Sequence, residues 1–245
     1  MAMLIQKGFR MRVLLVAPML ALTVAGGIVP ISGMAEEQPQ VATAKTLVYK
    51  PPLNGAPARQ VTGASRGAEE QTVLLPLAPD HVGFTTRPQP VFQWYAAGAL
   101  NGKLEFTLNE GRKTVLETPV PLGKPGVQSL RLAEYRLSLK PGIEYAWRIA
   151  LVADDEQRAA DLIAGGAIRY EPASADLQAQ IKKAKPQEKP AIYAGAGQWY
   201  DAVESLSALI AQHPQDKTLH DERAALLSQV EGLREAVDYD RQASR

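Results

Sequence analysis

The chain has 245 residues, with 27 basic and 26 acidic side chains, a formal charge of +1 and no cysteine. So close a balance sets up no global field to draw in nucleic acid or anionic lipid. The missing thiol excludes disulfides, thiolate metal sites, cysteine nucleophiles and lipoprotein anchoring, so the fold must rest on its apolar core.

Lys7, Arg10 and Arg12 precede an apolar run from Val13 to Val29, the charged-then-apolar order of a secretory signal peptide. Gly33-Met34-Ala35 puts small residues at both positions a signal peptidase reads. Cleavage is expected after Ala35, the alternative being an uncleaved membrane anchor. Residues 1–35 hold three basic and no acidic side chains, so the mature chain carries 24 against 26, or −2. The expected location is periplasmic or secreted, with no integral membrane span after cleavage. Residues 36–71 are rich in Pro, Gly, Ala and Gln, with few large apolar side chains beyond Leu47, Val48 and Tyr49. They read as an extended leader, part of which can dock on the domain that follows.

From residue 72 to residue 171, short apolar runs alternate with turn residues, the spacing of an all-β domain. Seven strands are predicted, at Val73 to Leu77, Pro90 to Tyr95, Lys103 to Asn109, Thr114 to Val120, Val127 to Leu132, Ile143 to Val152 and Ala160 to Tyr170. Pro76 suggests that the first is an edge strand. Leu104, Phe106 and Leu108 alternate with Lys103, Glu105 and Thr107, and Ile143, Tyr145, Trp147, Ile149 and Leu151 share a second face. Asn101-Gly102, Glu110-Gly111, Pro125-Gly126 and Pro141-Gly142 supply the turns. The Pro141-Gly142 turn feeding Tyr145 resembles the corner of a sandwich domain, where a tyrosine ring packs in the core and its hydroxyl bonds backbone. Tyr145 and Trp147 are therefore expected in the core.

After Pro172 the period lengthens. Leu177 and Ile181 share a helix face whose end is crowded with lysines, and Pro186 and Pro190 stop it. Helices follow at about Ala191 to Ala196, Trp199 to His213 and Thr218 to Val230, with Leu219, Leu226, Leu227 and Val230 on one face of the last. Thr218 and Asp221 resemble a capping box. Gly197, Tyr200, Ala202, Leu206, Leu209 and Pro214 match the spacing of a tetratricopeptide repeat, but a single copy cannot stack into a solenoid. A helical hairpin closing against the sandwich is expected instead. The fold class is thus all-β plus α: an immunoglobulin/fibronectin-III-like β-sandwich over 72–171, a C-terminal helical hairpin within 172–232, and a frayed end over 233–245.

Chemistry-bearing constellations are sparse. His81, His213 and His220 sit in unrelated segments, and only the last two could be neighbours, so no metal is expected. Asp154-Asp155-Glu156 and Asp161 form an acidic loop without the alternating pattern that wraps calcium, and Arg158 supplies an internal partner. No serine sits in a Gly-x-Ser-x-Gly elbow. Gly165-Gly166 has no flanking Lys-Ser/Thr, so a bulge or a close backbone approach explains it better than a phosphate loop. Trp94 and Tyr95 must face opposite sides of their strand, one in the core and the other toward a helix, a ligand or water.

Several short stretches carry a resemblance in their order and spacing. They are Pro51-Pro52, Gly55, Pro57, Gly63 to Gly67, Leu74-Leu75-Pro76, Arg87-Pro88 to Trp94-Tyr95, Gly126, Tyr145-Ala146-Trp147, Arg158 to Asp161, Gly166 to Arg169 and Tyr193 to Ala202. Together they resemble a bacterial, mainly cyanobacterial family called domain of unknown function 928. The resemblance implies secretion, a β-rich domain and a helical tail, with no established activity. The family carries a cysteine near the end of the long strand where this chain has Ala153, so no thiol role carries over. The candidate interaction residues are Arg158, Asp161, Arg169, Trp199 and Asp201. The expected function is that of a secreted, non-enzymatic envelope protein docking a protein partner, with no catalytic residue and no cofactor. A carbohydrate-binding sandwich is the alternative, and an unrecognised hydrolase the third.

Overall fold

The computed structural model describes residues 47–52, 63–64, 72–98 and 100–245; the expected signal peptide and most of the leader lie outside them. The strands are β1 (Gly63–Ala64), β2 (Val73–Pro76), β3 (Gly83–Thr85), β4 (Val91–Ala97), β5 (Lys103–Glu110), β6 (Lys113–Val120), β7 (Gly126–Arg131), β8 (Glu144–Val152) and β9 (Leu162–Tyr170). They form two sheets, one in the order β1-β2-β4-β7 and the other in the order β3-β9-β8-β5-β6. All seven expected strands form. β3, which pairs in parallel with β9, and the two-residue β1 were not foreseen, because neither is long enough to show alternation. Nor is β2 the sheet's edge: β1 borders it at Val73 and Leu74.

The core lies between the sheets. Phe92 of β4 meets Phe106 of β5 at 5.0 Å and Trp147 of β8 at 5.4 Å between ring centroids. The β5–β8 register sets Leu104 opposite Leu151, Phe106 opposite Ile149 and Leu108 opposite Trp147, so alternation turns all six inward together. Tyr145 and Trp147 are both buried, as expected. At the corner, Gly142 takes the left-handed backbone (φ 74°), and the Lys140 N–H donates to the Tyr145 hydroxyl at 3.2 Å. That hydroxyl donates in turn to Glu110 Oε2. The two glycines of β9 mark a close approach, since a Cβ on Gly166 would stand 2.5 Å from Ala78 Cβ.

The tail contains five α-helices, not a single hairpin: α1 (Ala175–Lys183), α2 (Lys189–Gly195), α3 (Trp199–Gln212), α4 (Lys217–Leu227) and α5 (Arg234–Ala243). Ser174 caps α1 by accepting from Leu177 N. The cap of α4 is Asp216, which accepts from Thr218 N, and not the expected Thr218. The expected frayed end is helical, because Ala236, Val237 and Asp240 of α5 turn one face inward and Asp240 meets a buried arginine there. The outer face of β4 is covered by helices, as Tyr95 packs on Tyr239 of α5 at 5.4 Å. The leader docks as well: Leu47 and Tyr49 are buried, Lys50 N donates to Ala194 O, and Tyr49 N donates to Gln229 Oε1. Among the described residues no helix is long and apolar enough to cross a membrane.

Candidate functional site

Helix α3 meets the sandwich in two different ways. Its first turn is welded on. The Trp199 indole N–H donates to Leu77 O at 2.9 Å, and the Tyr200 hydroxyl accepts from Trp147 Nε1 at 2.8 Å and donates to Ala167 O at 3.0 Å. Asp201 Oδ2 accepts from Thr86 N at 2.6 Å, and its Oδ1 lies 3.1 Å from Arg87 Nε. Arg87 also reaches Glu204 Oε2 at 2.7 Å. Burial pushes the Asp201 carboxyl up to about 6, against the pull of the Thr86 N–H and of Arg87. Burial likewise raises the phenols of Tyr200 and Tyr49. Two of the expected interaction residues, Trp199 and Asp201, are therefore 0% and 1% exposed and are used up inside the molecule.

The other three candidates lie elsewhere. Arg158 Nε donates to Asp161 Oδ2 and its Nη2 to Glu105 Oε2, both at 2.7 Å, while Lys103 pairs with Asp155. Arg158 and Lys103 hold the Glu105 carboxyl below its usual range. The acidic loop is thus ion-paired, as its neighbouring cations suggested. Arg169 stands apart on β9, its guanidinium 4.4 Å from the Phe84 ring centroid and 2.8 Å from Glu171. The structure brings Arg158 and Asp161 together and joins neither to Arg169 or to the α3 seam.

Beyond its first turn, α3 draws away from the sheet and leaves a cleft of about 450 Å³. One wall is the outer face of β4 and β7, with Val91, Gln93, Ser129 and Arg131; the other is Ser207, Ala208 and Ala211 of α3, continued by α4 and α5. Its floor is polar. Arg223 of α4, 3% exposed, donates through Nε and Nη2 to Asp240 of α5 at 2.8 and 2.6 Å, and through Nη1 to Ser207 Oγ at 3.0 Å. Ser207 Oγ donates to Gln93 Oε1 at 3.0 Å, which ties helix to strand. His220 Nδ1 is 3.1 Å from Asp240 Oδ1, and its Nε2 is 3.2 Å from Pro214 O. A serine, a histidine and an aspartate thus share one cleft without forming a relay, because His220 turns its second nitrogen to Pro214 and not to Ser207.

His81 accepts from or donates to Tyr49 Oη at 2.8 Å and meets Asp80 at 2.9 Å, fastening the leader beside Trp199, which Tyr49 contacts edge-on. Among the described residues no group of three or more His, Asp or Glu is placed to hold a metal ion. All three tryptophans are 0% exposed, and among the described residues the exposed large apolar side chains, Val48, Leu122 and Ile143, are scattered and lie on none of the helices. Two other openings lie among the described residues, one of about 780 Å³ beside Val48, Lys50, Ala173 and Gln180 and one of about 380 Å³ beside Thr86 and Ile181; the cleft on β4 and β7 is the one bordered by the buried Arg223–Asp240 pair.

Sequence reading missed the cleft residues Gln93, Ser207, Arg223 and Asp240. Arg223 carried a usable signal, since it falls four residues after Leu219 and three before Leu226, a charge on an apolar helix face. A search of curated proteins found no match. The sequence profile of the family described as Domain of Unknown Function (DUF928) matches residues 61–238, a span that includes both sheets, the α3 seam and most of the cleft, and the chain belongs to that family.

Proposed function

We propose that the chain is an exported, non-enzymatic interaction module of the cell envelope, with the cleft between sheet and helices as its recognition surface. The observation that carries this reading is the cleft itself: a concave site whose lining mixes apolar side chains such as Val91, Ala208 and Ala211 with polar groups held in place by internal bonds. Its charged floor is internally satisfied, with Asp240 receiving Arg223 and His220, and Ser207 placed between Arg223 and Gln93. Groups bound this way shape a site rather than supply a free nucleophile or base. The carbohydrate alternative draws on the tryptophans as a sugar platform and on how often sandwiches host sugar sites; the three rings are buried, which leaves the analogy alone.

The same reading takes the sandwich as immunoglobulin/fibronectin-III-like. It is supported by β2-β4-β7 facing β9-β8-β5-β6, and by Tyr145 near the start of β8 receiving a backbone N–H from five residues upstream. Phe92 and Trp147 then fill the place between the sheets that a disulfide occupies in antibody domains. Such sandwiches host many functions, so the fold is compatible with this role and does not select it.

Export and binding are tested together by expressing the tagged chain in a bacterial host and fractionating cross-linked cells. The mature form is expected in the envelope fraction with a cross-linked protein that is lost from Ala208→Trp, a variant that fills the cleft. Recovery of the full-length chain in the cytoplasm, or a cross-linked species that survives Ala208→Trp unchanged, would refute the reading.

A further inference from the structure

The two sheets end unequally on the side where the cleft opens. On β5 the inward residues Leu104, Phe106 and Leu108 are at most 1% exposed. Their register partners on β6, Val120, Thr118 and Leu116, face the same way and are only half-buried. Among the described residues the opposing sheet stops at β7, so the sandwich is one strand short over that row. Leu116 and Val120 are apolar, point inward and pack on the core from one side, yet both stay half-buried.

Among the described residues no strand pairs with the outer edge of β7, although the loop before it packs on Gln128 and Tyr239 of α5 lies against Gly126. Natural edge strands are blunted by proline, charge or bulges. β6 follows that rule, with Lys113, Glu117 and Pro119 and a register shift opposite Leu108 and Asn109. β7 reads Gly126-Val127-Gln128-Ser129-Leu130-Arg131, with no proline and its one charge at the very end. Its outer residues Val127, Ser129 and Arg131 line the cleft. A strand laid beside it would set alternate side chains over Leu116 and Val120 on one face and into the cleft on the other, because strand side chains alternate.

We propose that β7 receives an extended segment of a protein partner by strand addition, completing the short sheet, with an acidic residue of that segment beside the exposed Lys124 or Arg131. The inference rests on the reading of the cleft as a recognition surface and specifies how it is occupied. A second copy of this chain is the poorer occupant. Two β7 strands paired about a twofold axis would bring Arg131 of each toward the Lys124 end of the other, like charges at both ends.

A random-peptide phage library panned on the purified chain supplies the probe. Enriched peptides are expected to alternate apolar residues and to include Asp or Glu, and the bound peptide should slow amide exchange at Val127, Ser129 and Arg131. Affinity should fall by about tenfold or more in Ser129→Pro, which breaks the edge. Leu116→Lys, at a half-exposed position, reads the same vacancy should the proline variant not fold. The proposal is overturned if no peptide is enriched, if exchange slows on the helices and not on β7 with both variants binding like the parent, or if sedimentation finds a dimer that Ser129→Pro dissociates. A peptide lost on Ala208→Trp and retained by both edge variants would refute strand addition while the cleft reading stands.

Discussion

The two halves of α3 make a useful comparison, because one helix contacts one sandwich in two chemically opposite ways. Residues 199–203 enter a closely packed pocket in which Trp199 and Tyr200 bond Leu77, Trp147 and Ala167, and the Asp201 carboxylate accepts from Thr86 N. Residues 204–211 stand off the sheet, and the gap is spanned by a polar chain running Gln93, Ser207, Arg223, Asp240. Both halves hold polar side chains, so polarity alone does not separate structure from recognition. What separates them is whether space for a ligand remains: the first half leaves none, and the second leaves about 450 Å³.

The comparison can be broken from either side. Trp199→Ala removes a fully buried ring and its bond to Leu77, and should destabilise the chain by about 3–5 kcal/mol, whereas Ala208→Trp in the cleft should shift stability by less than about 0.5 kcal/mol. Urea unfolding monitored by circular dichroism measures both; equal losses would erase the distinction. Asp240→Ala tests whether the cleft floor is also structural. It strands the buried Arg223 guanidinium, and a cost of about 3–5 kcal/mol is expected, with the charge-neutral pair Arg223→Met/Asp240→Leu recovering most of it. A single variant as stable as the parent would mean that the network contributes nothing to the fold.

The seam should also be legible in pH. The folded Asp201 carboxyl titrates near 6, above the ordinary aspartate value of 3.8. The native state therefore binds this proton more tightly than the unfolded chain, and stability falls as pH rises from about 4 to about 6, by up to about 3 kcal/mol. Asp201→Asn cannot titrate, so its deficit relative to the parent should shrink as pH rises through that window. A deficit that stays constant or grows would contradict the assignment. A smaller effect is expected for Tyr200→Phe, which keeps the ring but leaves Trp147 Nε1 and Ala167 O unpaired, at about 1–3 kcal/mol in thermal unfolding. No measurable change there would mean that packing alone, without the hydroxyl, holds the seam.

How much of this was legible in the sequence follows from the range of the forces involved. Strands β5 and β8 announce themselves by alternation, a local property, and the corner at Gly142 and Tyr145 by turn chemistry within a few residues. The stretch Tyr193 to Ala202 carries part of the family resemblance, and its two candidate interaction residues, Trp199 and Asp201, are buried. Trp199 and Asp201 look like surface recognition groups in one dimension, and only the arrival of Leu77 and Thr86, more than a hundred positions earlier in the chain, makes them internal. α5 was lost for the same reason. Its sequence is dominated by charge, and it is held by Ala236, Val237 and a long-range pair from Asp240 to Arg223, which no local window contains. β3 is three residues long and exists because β9 offers it a parallel edge.

The proposed recognition surface is the cleft and its β7 edge, and not the open face of the other sheet. A photo-cross-linking amino acid placed in turn at Ala208, at Ser129 and at Ala146, which lies on the outer face of β8, tests this in the full chain expressed in a bacterial host. Protein adducts are predicted from positions 208 and 129 and none from 146. Adducts from 146 alone would contradict the claim and move the interaction surface to the opposite side of the sandwich.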